Sequence, residues 1–105
     1  MEAEDLIVLR RLADRVRHRF PDANVWAYGS RARGDAAPDS DFDVCIVVDT
    51  LDEQVDQQIM DIAWEVGFDE DVVISTVTFS RREFTSGPMS HSPLVRTIRR
   101  DGVAA

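Results

Sequence analysis

Two aspartates, Asp41 and Asp43, stand one residue apart at the head of the apolar run DFDVCIVV, residues 41–48. In an extended chain side chains alternate between faces, so both carboxylates project to one side while Phe42 and Val44 face a core on the other. Two carboxylates roughly 6 Å apart repel by about 3 kcal/mol at an effective dielectric near 20. Such a pair persists where water solvates it or where a cation sits between its members. Because only oxygen donors are on offer, that cation is a hard divalent ion, Mg²⁺ or Mn²⁺, rather than zinc. Taken alone, the pair is equally well read as exposed acids at the start of a strand.

The preceding element narrows the choice. Tyr28-Gly29-Ser30-Arg31 places a Gly-Ser step directly after a short run of strand formers, and ten residues separate Ser30 from Asp41. Glycine lets the backbone come close to a ligand, and the amides after it, with the Ser30 hydroxyl, can cradle phosphate oxygens at the start of a helical turn. A phosphate cradle on one strand beside a carboxylate pair on the next is a more restrictive arrangement than either alone. Arg31 and Arg33 have two readings here. They contact phosphates from the loop, or they are loop arginines paired with Asp35 and Asp39.

Several elements must hold these residues in place. Leu6, Leu9, Ala13, Val16 and Phe20, spaced three and four apart among charged residues, predict an amphipathic helix that Pro21 ends. Residues 25–28 predict a first strand, 30–40 a loop with a helical turn at its start, and 41–48 the strongest strand of the chain. Val55, Ile59, Ile62, Ala63 and Val66 trace a second long helix, with Thr50 or Asp52 as N-cap and Gly67 as its stop. A third strand is expected over 71–79. Ser80 with Glu83 has the form of a capping box, and Ser92-Pro93 sets an N-cap and first-turn proline for a last helix ended by Gly102. The fold class is therefore α/β (α+β): a small mixed sheet of three to four strands flanked by helices, in one domain spanning 1–105.

Composition limits the function classes. The chain has 105 residues, 44% of them hydrophobic, and a net charge of −8. That balance argues against general nucleic-acid binding, which needs a cationic surface. Between Arg33 and Arg81 stand thirteen acids and no basic residue, whereas the segment from Ser80 onward carries five arginines against Glu83 and Asp101. No apolar run approaches the length of a membrane span, and the N-terminal stretch does not read as a signal peptide, so a cytoplasmic location is expected. All twelve basic residues are arginine, which excludes a lysine nucleophile. His18 and His91 are expected to face solvent. Cys45 reads as a buried thiol, and Trp26, Tyr28, Trp64 and Phe79 as core and sheet packing. There is no zinc-ligand spacing, Walker-type loop or Ser/His/Asp set.

The run GSRARGDAAPDSDFDV, residues 29–44, resembles the signature of the DNA polymerase β-type nucleotidyltransferase superfamily: Gly-Ser, a spacer, then an acid-x-acid pair. Its Arg-x-Arg-Gly and Ser-Asp-x-Asp details are most similar to the minimal nucleotidyltransferase (MNT) group, and the tail PLVRTIRRDGVAA also resembles C-termini found there. The resemblance implies that Gly29 and Ser30, with Arg31, Arg33 and Ser40, bind a nucleoside triphosphate such as ATP. It implies that Asp41 and Asp43 hold Mg²⁺ or Mn²⁺ and that a nucleoside monophosphate is transferred with loss of pyrophosphate. It also implies a hydroxyl acceptor supplied in trans. The usual partner in the group is an all-helical HEPN-type protein, in a toxin–antitoxin pair of which the nucleotidyltransferase is the antitoxin.

One departure stands out. The resemblance calls for a third carboxylate on a neighbouring strand, and the interior of the third strand carries none. Ser75, Thr76 or Val77 falls where that carboxylate is expected, leaving Asp71, and after it Asp69, as candidates for the role. A relative without that acid would act as a catalytically weak nucleotide-binding module that regulates its partner by contact.

Overall fold

A computed structural model describes residues 1–105. In chain order it contains α1 (Ala3–Arg19), β1 (Asn24–Tyr28), α2 (Gly29–Arg33), β2 (Phe42–Val48), α3 (Glu53–Glu70), β3 (Ile74–Ser80), α4 (Arg81–Thr85), a 3₁₀ turn (Pro88–His91), α5 (Pro93–Asp101) and β4 (Val103–Ala104). The strands form one mixed sheet in the order β3-β2-β1-β4. β1 is antiparallel to β2 and β4, and β2 is parallel to β3 through the α3 crossover. The α/β class with three to four strands is as expected.

The alternation read at 41–48 decides the layering. Phe42, Val44, Ile46 and Val48 are buried against α1 and α3, together with Leu9, Leu12, Val16, Ile59 and Val66. Cys45 and Val47 face the opposite side and pack with Phe79, Phe84, Val95 and Ile98 beneath α4 and α5. A strand covered on both faces needs apolar residues at every position, and β2 supplies them everywhere but Asp43. On the second face Trp26 stacks on Phe84, with ring centroids 5.2 Å apart. The helices α1 and α3 are laced together at their surface by Arg11–Glu70 and Arg15–Glu65 ion pairs.

The ends of the elements follow local chemistry. The Asp52 side chain accepts from the Val55 amide and so caps α3. Ser80 and Glu83 form the capping box of α4, and the Ser92 hydroxyl accepts from the Val95 amide ahead of Pro93. The stop of α3 differs from expectation, because the helix runs through Gly67 to Glu70. Its last turn closes by Val72 N–H donating to the Gly67 carbonyl and Asp71 N–H to the Phe68 carbonyl, with Asp71 in the left-handed region at φ 56°. Asp71 thus does what glycine usually does. Gly67 is small for a different reason: a Cβ there would lie 2.5 Å from the Val72 carbonyl oxygen, where the chain turns back toward β3.

Two further differences are small. β3 begins at Ile74 rather than 71, since 71–73 are taken up by the turn after α3. Trp64, expected in the core, is 69% exposed, because it lies beside the inward stripe of α3 and not on it.

Candidate active site

Three strands bring their ends together around Asp43. Tyr28, the last residue of β1, is its antiparallel partner, and Ser75 of β3 is its parallel partner. Since laterally paired residues share a face, Tyr28, Asp43 and Ser75 line one surface at the point where the α4/α5 layer stops. Asp43 is half-buried and Asp41, immediately before β2, is exposed. Burial, and after it the negative charge of Asp41, hold the Asp43 carboxyl above its ordinary value of 3.8. The two carboxylates therefore sense each other, as their spacing requires. The Tyr28 phenol is raised as well, first by burial, then by Asp43 and Cys45. Burial pushes the Cys45 thiol up to about 12, which leaves it a neutral part of the core.

Gly29 touches this pair directly. Its φ is +75°, and a Cβ built on it would lie 2.8 Å from Oδ2 of Asp43. The backbone conformation favours glycine, being in the region L side chains avoid, and any side chain there would also displace the Asp43 carboxylate. Ser30 comes next at the start of α2, so the Gly-Ser step and both aspartates lie at the same end of the sheet.

The loop arginines separate. Arg31 turns inward, pairing with Asp5 of α1 at 2.9 Å and donating to the carbonyls of Ser40 (2.6 Å) and Pro38 (3.3 Å). Its guanidinium also lies 5.5 Å from the centre of the Phe42 ring. With side chains only 12% and 14% exposed, Arg31 and Asp5 tie the loop that ends at Asp41 to the first helix. Neither sequence-based reading of Arg31 names Asp5. The two residues are 26 positions apart, and no local signal connects them. Arg33 is exposed and paired with Asp35 at 3.2 Å. Ser40 stands beside Asp41 with its carbonyl held by Arg31.

Asp71 and Asp69 are not brought to the pair. Asp71 is the left-handed cap of α3, outside β3, and no group of three or more His, Cys, Asp or Glu side chains in the structure is arranged to hold a metal ion. Of the three β3 positions where an acid is expected, Ser75 is the one level with Asp43, Thr76 lies on the other face, and Val77 is level with Cys45. Tyr28 and Asp5 are the residues of this region that sequence reasoning missed as neighbours of the site.

The donor set of the end is thus two carboxylates and a hydroxyl, with the glycine backbone drawn close against Asp43. That set suits a hard divalent ion that keeps water or phosphate oxygens as its remaining ligands. The chain belongs to the nucleotidyltransferase domain family, whose model matches residues 9–101. Two solved structures share the fold. One, a toxin–antitoxin crystallised with AMP-PNP, has a TM-score of 0.62 and 17% identity over 90% of this chain and 69% of its own. The other, a mutant of the toxin–antitoxin MntA-HpeT, has a TM-score of 0.63 and 16% identity over the same shares. None of the curated proteins matches the chain. No helix is long and apolar enough to cross a membrane.

Proposed function

We propose that this chain, acting as one minimal domain over 1–105, transfers a nucleoside monophosphate, AMP from ATP, to a hydroxyl of a partner protein in the cytoplasm. In this reading it is the antitoxin of a toxin–antitoxin pair whose other member is an all-helical HEPN-type protein. The observation that carries the reading is the contact between the Gly29 backbone and the Asp43 carboxylate beside Asp41, where phosphate and metal would have to meet. The similarity in fold to two toxin–antitoxin proteins, one crystallised with AMP-PNP, supports the nucleotide and the partner.

Asp41 and Asp43 would hold Mg²⁺ or Mn²⁺, which neutralises charge on the phosphate oxygens and on the attacking oxygen. Gly29 lets the backbone lie close against Asp43, and the amides after it, with the Ser30 hydroxyl, would donate to the phosphates. Arg31 keeps the 34–40 loop, and with it Ser40 and Asp41, in register with the sheet. Arg33, held only by an exposed pair with Asp35, exchanges that partner for a phosphate oxygen. The acceptor oxygen bonds to the α-phosphorus as its bond to pyrophosphate breaks, and the hydroxyl proton passes to solvent.

The neutral Ser75 beside Asp43 favours a second reading, a weak or inactive nucleotide-binding module that controls its partner by contact. Two experiments in sequence separate the two, the first testing the site and the second the transfer. Calorimetric titration of ATP with Mg²⁺ is expected to show metal-dependent binding that the Asp41→Asn, Asp43→Asn double variant loses by more than about 100-fold. Transfer of label from α-labelled ATP to a co-purified partner then marks the enzyme. Binding without transfer marks the module, and transfer that survives the double variant would overturn the assignment to these aspartates.

A further inference from the structure

The face of α3 turned away from the core is built for contact. Met60, Trp64 and Phe68 succeed one another at four-residue spacing and are 49%, 69% and 74% exposed. Trp64 and Phe68 stack with ring centroids 5.4 Å apart, so the stripe is one continuous apolar surface. Val73, 66% exposed, continues it toward β3. Between this stripe and the start of β3 runs an open groove of about 1020 Å³, lined also by Pro38, Asp39 and Ser40. β3 is an edge strand, and its seven residues, ISTVTFS, include no charge and no proline. The usual guards of an exposed edge are missing there. Apolar surface gathered in this way marks an interaction site.

Charge decides the occupant. Asp39 and Asp71 line the groove, whereas Glu65 and Asp69 lie on the flank of α3 that faces Arg11 and Arg15 of α1. Glu65 is paired with Arg15. The only basic residue in the lining, Arg31, is engaged by Asp5, Ser40 and Pro38. A second copy of the chain would set acids against acids at a net charge of −8 each. The chain's own arginine-rich helix α5 cannot serve, because Val95 and Ile98 are already buried beneath it.

We propose that the groove between α3 and β3 seats a cationic amphipathic helix of a partner protein, apolar anchors over Trp64 and Phe68 and arginine or lysine against Asp39 and Asp71. The groove passes the sheet edge at Ser75, the register neighbour of Asp43, and includes Ser40, which precedes Asp41. A helix seated here therefore presents the adjoining segment of the partner chain to the carboxylate end. This last consequence rests on the transfer reading; the seat itself does not.

The test uses the full chain and a synthetic helical peptide with leucines on one face and arginines on its flanks. Calorimetry is expected to show binding that weakens as salt rises and falls at least about ten-fold in Trp64→Ser, Phe68→Ser. Both side chains are exposed, so the variant keeps its fold, and its Mg²⁺-dependent ATP binding is unchanged. Peptide binding with no ATP binding in any variant leaves the seat standing and removes the transfer reading. Equal binding by the serine variant, or by a peptide with glutamates in place of arginines, would overturn the proposal. So would dimers of the chain that dissociate on the serine substitutions, or amide protection along β3 showing that the peptide adds as a strand.

Discussion

Strands β2 and β3 lie side by side, run in the same direction and are paired residue for residue, yet the ends they share at the candidate site are opposites. β2 is central and buried on both faces at every position except Asp43. β3 is an edge strand whose residue at that level is Ser75, and it carries no charge anywhere. An ionised group on the most buried strand is unfavourable for folding, since burial and Asp41 both oppose its charge. On the edge strand, where a carboxylate would meet water, there is none. The distribution is the reverse of what stability alone would choose, and it agrees with the two proposals, a chemical role for the β2 end and a contact surface at the β3 edge.

The strongest way to break this contrast is to crowd the β2 end. Gly29→Ala forces a side chain onto a φ of +75° and against Asp43 Oδ2. We expect a loss of about 1–2 kcal/mol in stability, from the left-handed backbone alone. Mg²⁺-dependent ATP affinity is expected to fall more than about ten-fold, because Asp43 must move. Denaturant unfolding and calorimetry read the two effects separately. An alanine variant that binds ATP as the parent does would show that the Gly29–Asp43 contact has no part in the site.

The contrast is sharpened by giving β3 what β2 has. Ser75→Asp sets a carboxylate on the next strand, roughly 5 Å from Asp43 along the sheet. Without metal the added repulsion is expected to lower the melting temperature by a few degrees, about 1 kcal/mol or less. With Mn²⁺ the order reverses, and the variant is expected to bind the ion roughly ten-fold tighter than the parent as a three-carboxylate site. Unchanged Mn²⁺ affinity would mean that Ser75 is level with Asp43 in the backbone but does not face the same ion.

Much of the β2 side of this comparison is legible in sequence. The period-two alternation of DFDV puts both acids on one side, and a glycine after a strand signals a close approach. These are local regularities. What is not legible depends on residues far apart or on substitutions within a motif. Asp71 caps α3 in a conformation where glycine is the usual choice, so in sequence Gly67 reads as the stop and Asp71 stays available as a candidate acid. Arg31 is claimed by Asp5, from another element altogether. β4 has two residues, too few for any periodicity, and is defined by its pairing with Trp26 and Ala27. Trp64 reads as core by its type alone. A large aromatic is usually buried, yet the spacing of Val55, Ile59, Ile62, Ala63 and Val66 already leaves Trp64 off the inward stripe, and here periodicity outweighs residue type.

The smallest effect tests the electrostatic premise from which the contrast starts. The folded-state pKa of Asp43 lies above its ordinary 3.8, so between those values the native chain binds more protons than the unfolded one. Stability contributed by this group is therefore present at low pH and is lost as pH rises through the folded-state pKa. Asp43→Asn has no such loss, and at pH 7 without metal it is expected to melt slightly higher than the parent, by about 1 kcal/mol or less. Saturating Mg²⁺ should invert the ranking, because the parent gains binding energy that the variant cannot. A parent that melts higher at pH 7 in the absence of metal would mean that hydrogen bonding to Asp43 outweighs burial and the charge of Asp41, and the β2 end would then be a structural feature of the sheet. The inversion on adding Mg²⁺ separates an acid placed for a ligand from one that merely survives in the fold.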